Sequence, residues 1–122
     1  MVETVTFTPA ELFAGQVSEY RRPCIVKSGQ NLVANTVVMS DAAGKMVAHD
    51  GVTTKKVAGV LIYAVDASLA DTAGALYKDG DFITTKLVWP ATIDGGAVTD
   101  LLKDKLLEGT KIFATVYKTG EL

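Results

Sequence analysis

Residues 57–65 read Val57-Ala58-Gly59-Val60-Leu61-Ile62-Tyr63-Ala64-Val65, a nearly continuous apolar run in which Gly59 is the one flexible point. An apolar run of this length, uninterrupted by charge, fits a strand buried inside a sheet. Gly59 offers no side chain to pack and marks a bend or a close backbone approach. The run is therefore expected to be the central strand of the fold. On its N-terminal side lie the short apolar runs 24–27, 32–33, 37–40 and 46–48, separated by Gly, Asn and Asp. Between the last two, Asp41 to Gly44 is the polar, glycine-closed connection of a hairpin. On the C-terminal side, Leu76-Tyr77-Lys78 and the strand 81–88 flank Asp79-Gly80, whose positive φ angles would make a tight hairpin turn. Trp89-Pro90 ends that strand, because proline cannot donate to a ladder. Residues 69–75 are small and show no clear period.

Two segments differ from this pattern of short strands. Val98, Leu101, Leu102 and Leu106 share one face at helical spacing, which predicts a helix over Asp94 to Leu107, closed by Gly109. Residues 111–118 then alternate as a last strand. At the other end, Val2, Glu3, Thr4, Val5, Thr6 and Phe7 alternate with period two, a strand without an obvious partner. Thr8-Pro9-Ala10-Glu11 follows as a helix start, with Gly15 as its stop. Arg21-Arg22-Pro23 reads as a basic break. The expected organisation is an extended arm with a possible short helix over 1–22, and one β-rich domain over 23–122. The fold class is mainly β with a small α part, a single β-sandwich or β-clip-like domain with a C-terminal helix and an extended N-terminal arm.

At 122 residues the chain fits one domain, a size that buries roughly two-thirds of the surface its unfolded form exposes. Its 48% hydrophobic content supports a packed core, and its net charge of −2 comes from interspersed signs. With no basic stripe to neutralise phosphates, nucleic acid is not an expected partner. No stretch approaches the roughly 18 apolar residues of a membrane span, and the N-terminus lacks a basic region followed by an apolar core. No membrane partner is expected, and synthesis is placed in the cytoplasm.

Candidate chemistry is sparse. His49-Asp50 is the nearest thing to a catalytic pair, yet neighbours on a strand face opposite ways and Asp50-Gly51 has the composition of a turn. Cys24 would need a base, and inside the run Cys24-Ile25-Val26 it reads as a buried, inert thiol. Asp79 and Asp81 lack the repeated oxygen ligands of a calcium loop. Gly95-Gly96 lacks the remainder of a phosphate-binding pattern. Arg21-Arg22 is either a grip on an anionic surface or a solvated face. Trp89 with Pro90 is either a core plug or an interface anchor. No enzyme activity, cofactor or metal is expected.

The order of motifs carries more than any single residue. Lys45-Met46-Val47-Ala48-His49-Asp50-Gly51, then Val57-Ala58-Gly59-Val60-Leu61, then Leu76-Tyr77-Lys78-Asp79-Gly80-Asp81-Phe82, then Leu87-Val88-Trp89-Pro90 resembles the head decoration proteins of lambda-type tailed phages. The resemblance covers 32–116 and leaves 12–31 poorly matched. His49 stands where a bulky aromatic is usual in that family. The resemblance implies a β-clip-like domain with a small helical part, serving as a capsid cement protein on the outer surface of the virion and made in the host cytoplasm. Its implied partners are the major capsid protein of the same phage and itself, as a homotrimer stabilising the expanded head against internal DNA pressure. It also implies that Val2 to Phe7 is the capsid-binding arm, acting by strand addition. Two other readings fit the β-rich pattern: a module that binds a small, sugar-type ligand, and a tail or baseplate component.

Overall fold

A computed structural model describes residues 21–115. The arm strand over Val2 to Phe7, the short helix after Thr8 and the end of the last expected strand lie outside the described residues. The elements in chain order are β1 (Arg21–Val26), β2 (Gln30–Leu32), β3 (Val37–Ser40), β4 (Met46–Ala48), β5 (Gly59–Leu61) and β6 (Val65–Ala67). They continue with β7 (Thr72–Tyr77), β8 (Asp79–Ile83), a 3-10 turn (Thr84–Lys86), α1 (Asp100–Leu106) and β9 (Lys111–Thr115). The described residues are mainly β with one short α-helix, in keeping with the expected fold class.

Five strands close a barrel in the order β1-β4-β3-β5-β7. The hairpin joining β3 to β4 forms where Asp41 to Gly44 placed it. Asp41 Oδ1 accepts from the amides of Ala43 and Lys45, both at 2.9 Å, and Gly44 takes φ +85°. Outside the barrel, β2 pairs antiparallel with β6, and β8 pairs parallel with β9 from Asp79↔Lys111 to Ile83↔Thr115.

Burial on both faces of the barrel wall explains the apolar runs. Val38, Leu61 and Leu76 join Val26, Leu32 and Met46 in one buried cluster. Their immediate neighbours Val37, Val60 and Tyr77 belong to a second cluster with Phe82, Ile93 and Ile112. Because successive strand residues point to opposite faces, a strand covered on both sides needs apolar residues at every position. The first cluster lies inside the wall, and the second lies between the wall and the β8, β9 and α1 layer.

Several expected boundaries are corrected. The run 57–65 is not one strand: β5 ends at Leu61, and the chain bends before resuming at Val65 as β6. A Cβ on Gly59 would sit 2.7 Å from the Tyr77 carbonyl oxygen, so glycine there permits close strand approach in a tightly curved wall. Asp79-Gly80 does not turn a hairpin. Both residues lie in β8, and Gly80 at φ +127° helps carry the chain out of the barrel into the second sheet after Lys78. The strand expected over 81–88 stops at Ile83, where the 3-10 turn begins.

The helix is also shorter than the expected span from Asp94 to Leu107. Asp94 and Gly95 both take positive φ, closing a turn, and Thr99 caps α1 by accepting from the Leu102 amide at 3.2 Å. Leu101 is 78% exposed, so the buried face runs through Leu106 with Leu107, and Leu102 and Val98 pack at its border. Arg21-Arg22-Pro23 begins β1 and does not break the fold. Pro23 is accommodated because β1 meets β4 only at Val26↔Met46, leaving most of one edge without a ladder partner among the described residues.

Candidate interaction surface

The residues that carry chemistry are each tied to a local structural task. The His49 imidazole is fully buried. Its Nδ1 accepts from the Gly51 amide at 2.9 Å, which leaves the ring proton on Nε2, where it donates to the Lys55 carbonyl oxygen at 2.8 Å. The ring thus pins the loop that follows β4. Asp50 is engaged elsewhere, with Lys55 Nζ at 2.6 Å and the Val52 amide at 3.1 Å, and the Lys55 ammonium chiefly holds its carboxyl below the usual range. Cys24 is half-buried, and desolvation pushes its thiol up against the weaker pull of a Gly74 backbone hydrogen bond and Lys78. A thiol raised in this way is a poorer nucleophile. Asp81 accepts from Thr115 Oγ1 at 2.7 Å, tying β8 to β9. Gly95 and Gly96 lie in the turn closed by Ile93 and Gly96. Among the described residues no group of three or more His, Cys, Asp or Glu is placed to hold a metal ion.

Two polar seams lock the loops around the barrel. Asp71 accepts from Lys45 Nζ at 2.6 Å and from the Ser28 amide at 2.8 Å, joining the loops beside β1, β4 and β7. Asp94 accepts from the amide and the hydroxyl of Thr53 at 3.0 and 2.8 Å. Close by, Gly51 approaches Thr92 so tightly that a Cβ would lie 1.9 Å from the Thr92 carbonyl oxygen.

What remains exposed and apolar is the material for contact with another protein. Leu69 is 96% exposed, Tyr63 62% and Phe113 62%. Phe113 stands between two clefts, one of about 540 Å³ beside Leu107 and Thr115 and one of about 390 Å³ beside Asp79 and Lys111. Neither Leu69 nor Phe113 was singled out by the sequence reading. The alternation of 111–115 would have placed Phe113 outward once Ile112 was known to face inward, whereas Leu69 sits in a loop with no period to read. Trp89 is half-buried against the second cluster. Its Nε1 donates to the Thr84 carbonyl oxygen at 2.9 Å, and Lys103 Nζ lies 5.4 Å from the ring centroid. Its contacts are those of a core plug with one covered face, and Pro90 beside it is partly exposed. Val2 to Phe7 lie outside the described residues; at Arg21, where β1 begins, the guanidinium sits 5.8 Å from the Tyr77 ring centroid.

The family described as bacteriophage lambda head decoration protein D matches residues 3–106. The match begins within the segment 2–7, runs through the region 12–31 where the motifs alone were weakest, and ends at the last residue of α1. No curated protein matches the chain.

Proposed function

This chain belongs to the bacteriophage lambda head decoration protein family, a family of structural capsid components, and on that premise we propose that it cements the expanded phage head. It binds the outer surface of the major capsid protein as a homotrimer and stabilises the shell against the pressure of packaged DNA. The observation that carries this reading is the family match, which spans most of the chain and includes the arm from Glu3 onward. The rigid part of the molecule supports it: a barrel with buried residues on both faces of its wall makes a firm clamp body. The arm residues Val2, Glu3, Thr4, Val5, Thr6 and Phe7 are the capsid-binding segment, adding a strand whose backbone amides supply affinity. Three arms on one body raise avidity by roughly a hundredfold or more where their sites match in geometry.

The test is binding to expanded empty heads by the full chain and by a chain lacking Met1 to Phe7, with thermal unfolding as the control for folding. The shortened chain is expected to unfold normally and lose head binding, and undiminished binding would refute the arm assignment. Sedimentation of the free protein is expected to show a trimer or a monomer–trimer equilibrium. A strict dimer would contradict the threefold reading.

A further inference from the structure

We propose that the His49 ring is a proton-operated latch: while neutral it holds the loop 50–55 against the 92–94 turn, and a proton on Nδ1 moves its hydrogen bond from Gly51 to Asp50 and opens that loop. The latch is independent of the capsid reading.

His49 is the one histidine in the chain, and its side chain has no solvent exposure. Nδ1 can accept from the Gly51 amide at 2.9 Å only while it carries no proton, because a charged imidazole has two donors and no acceptor. A proton there sets N–H against N–H and places a charge where water does not reach. Nε2 already donates to the Lys55 carbonyl oxygen at 2.8 Å, and charging the ring leaves that bond intact. The Gly51 side of the ring therefore gives way while the Lys55 side stays.

A new acceptor stands beside it. Asp50 Oδ1 lies 3.9 Å from Nδ1, too far for a hydrogen bond while the loop is closed. A shift of about 1 Å brings the pair to charge-assisted distance. In the closed loop Asp50 Oδ1 accepts from the Val52 amide at 3.1 Å, and Oδ2 accepts from Lys55 Nζ at 2.6 Å. Turning Oδ1 to the ring takes it from Val52, so two consecutive amides lose their acceptors together. Gly51 is also where the loop meets the turn. Its carbonyl oxygen accepts from the Asp94 amide at 2.8 Å, and a Cβ on it would lie 1.9 Å from the Thr92 carbonyl oxygen. Moving Gly51 breaks both contacts and strains the Thr53 bonds to Asp94. The facing turn brings one charged group, Asp94, which is already engaged by Thr53 with Lys105 nearby. Strands β3 and β4 bring none.

The direction with pH follows. An imidazole in water takes up its proton at about pH 6.5. The closed loop excludes the charged ring, so it is fully held above that pH and gives way as pH falls below it. Asp50 stays ionised through this range, since the Lys55 ammonium keeps its carboxyl below the usual carboxylate values.

The experiment is NMR of the full chain from about pH 8 to about pH 3.5, a range that spans imidazole and carboxylate titration. The single histidine ring signal reads proton uptake, and amide hydrogen exchange, corrected for its intrinsic pH dependence, reads the loop. Protection of the Gly51 and Val52 amides is expected to fall roughly tenfold or more in step with the ring, with β5 and β7 unchanged. A ring that titrates without loosening these amides would overturn the proposal. So would loss of protection confined to below about pH 4, which would assign it to carboxylates. His49→Gln has nothing to titrate and is expected to hold constant protection down to about pH 4.5; wild-type pH dependence in that variant would overturn the latch. Asp50→Asn keeps the ring and removes the waiting carboxylate, and serves where His49→Gln does not fold. Its ring and loop transitions are expected to move together to lower pH by roughly half a unit or more. Transitions left in place, or one moving without the other, would overturn the transfer to Asp50.

Discussion

At the level of single residues, the sharpest contrast lies between two glycines with the same backbone conformation. Gly44 and Gly51 both have φ +85°, but a Cβ on Gly44 meets nothing within 4 Å, while one on Gly51 meets the Thr92 carbonyl oxygen at 1.9 Å. Gly44→Ala therefore carries only the left-handed backbone penalty, about 1 kcal/mol. Gly51→Ala adds a collision with backbone and is expected to cost roughly 3 kcal/mol or more. Urea midpoints of the two variants measure the difference, and similar losses would show that the loop yields. Thr84 supplies a prediction of opposite sign. Its Oγ1 is buried with no hydrogen-bond partner among the described residues, so Thr84→Val removes a desolvated hydroxyl at nearly constant shape. A gain of about 1 kcal/mol is expected, because an unpaired buried polar group costs more than an apolar one. The Trp89 bond to the Thr84 carbonyl survives that change, since it uses the backbone. The sequence reading set aside a catalytic role for His49 and took Asp50-Gly51 as a turn, and all three residues hold the loop together. It had no means of seeing Thr92 against Gly51, because that contact joins segments far apart in the chain.

Among the elements, what the sequence made legible divides by range. Strands β3 and β4 and their hairpin were readable, because a local turn with an Asp side chain folded over its own amides needs nothing distant. The split of 57–65 into β5 and β6 was not, since it follows distant partners, β5 pairing with β3 and β7 and β6 with β2. The helix start was misread because Asp94 occupies a positive φ, where it clasps Thr53 across the molecule, and the Thr99 cap was outweighed by the apolar spacing. These clasps make the loops sensitive to acid. Asp41 is held below the usual carboxylate range by the Lys45 amide first, Asp71 by the Lys45 ammonium first and Asp94 by the Thr53 amide first. A carboxyl depressed in the folded state contributes stability that is fully present above its unfolded value of about 3.9 and is lost as pH falls through the folded value. The urea midpoint is therefore expected to fall below about pH 4. Asp71→Asn should flatten that acid limb, and an unaltered limb would show that the Asp71 seam is solvated in solution.

For the molecule as a whole, the shared barrel wall determines how the protein unfolds. Strands β3, β5 and β7 each contribute adjacent residues to both apolar clusters, Val37 and Val38, Val60 and Leu61, Tyr77 and Leu76. Neither cluster can lose its lining without exposing the other, so the described fold is expected to unfold as one cooperative unit. Phe82 lies at the heart of the outer cluster, 5.9 Å from the Tyr77 ring centroid, and is fully buried. Leu61 is its counterpart inside the barrel. Phe82→Ala is expected to cost about 3–5 kcal/mol and Leu61→Ala about 2–5 kcal/mol. Trp89, the sole tryptophan, packs on the outer cluster, so its fluorescence reports that side while far-UV circular dichroism reports the strands together. In both variants the two signals should share one midpoint. If Leu61→Ala moves the dichroism transition and leaves the Trp89 transition in place, the wall does not couple the clusters. The rigid clamp body that the capsid reading requires would then be two separable parts.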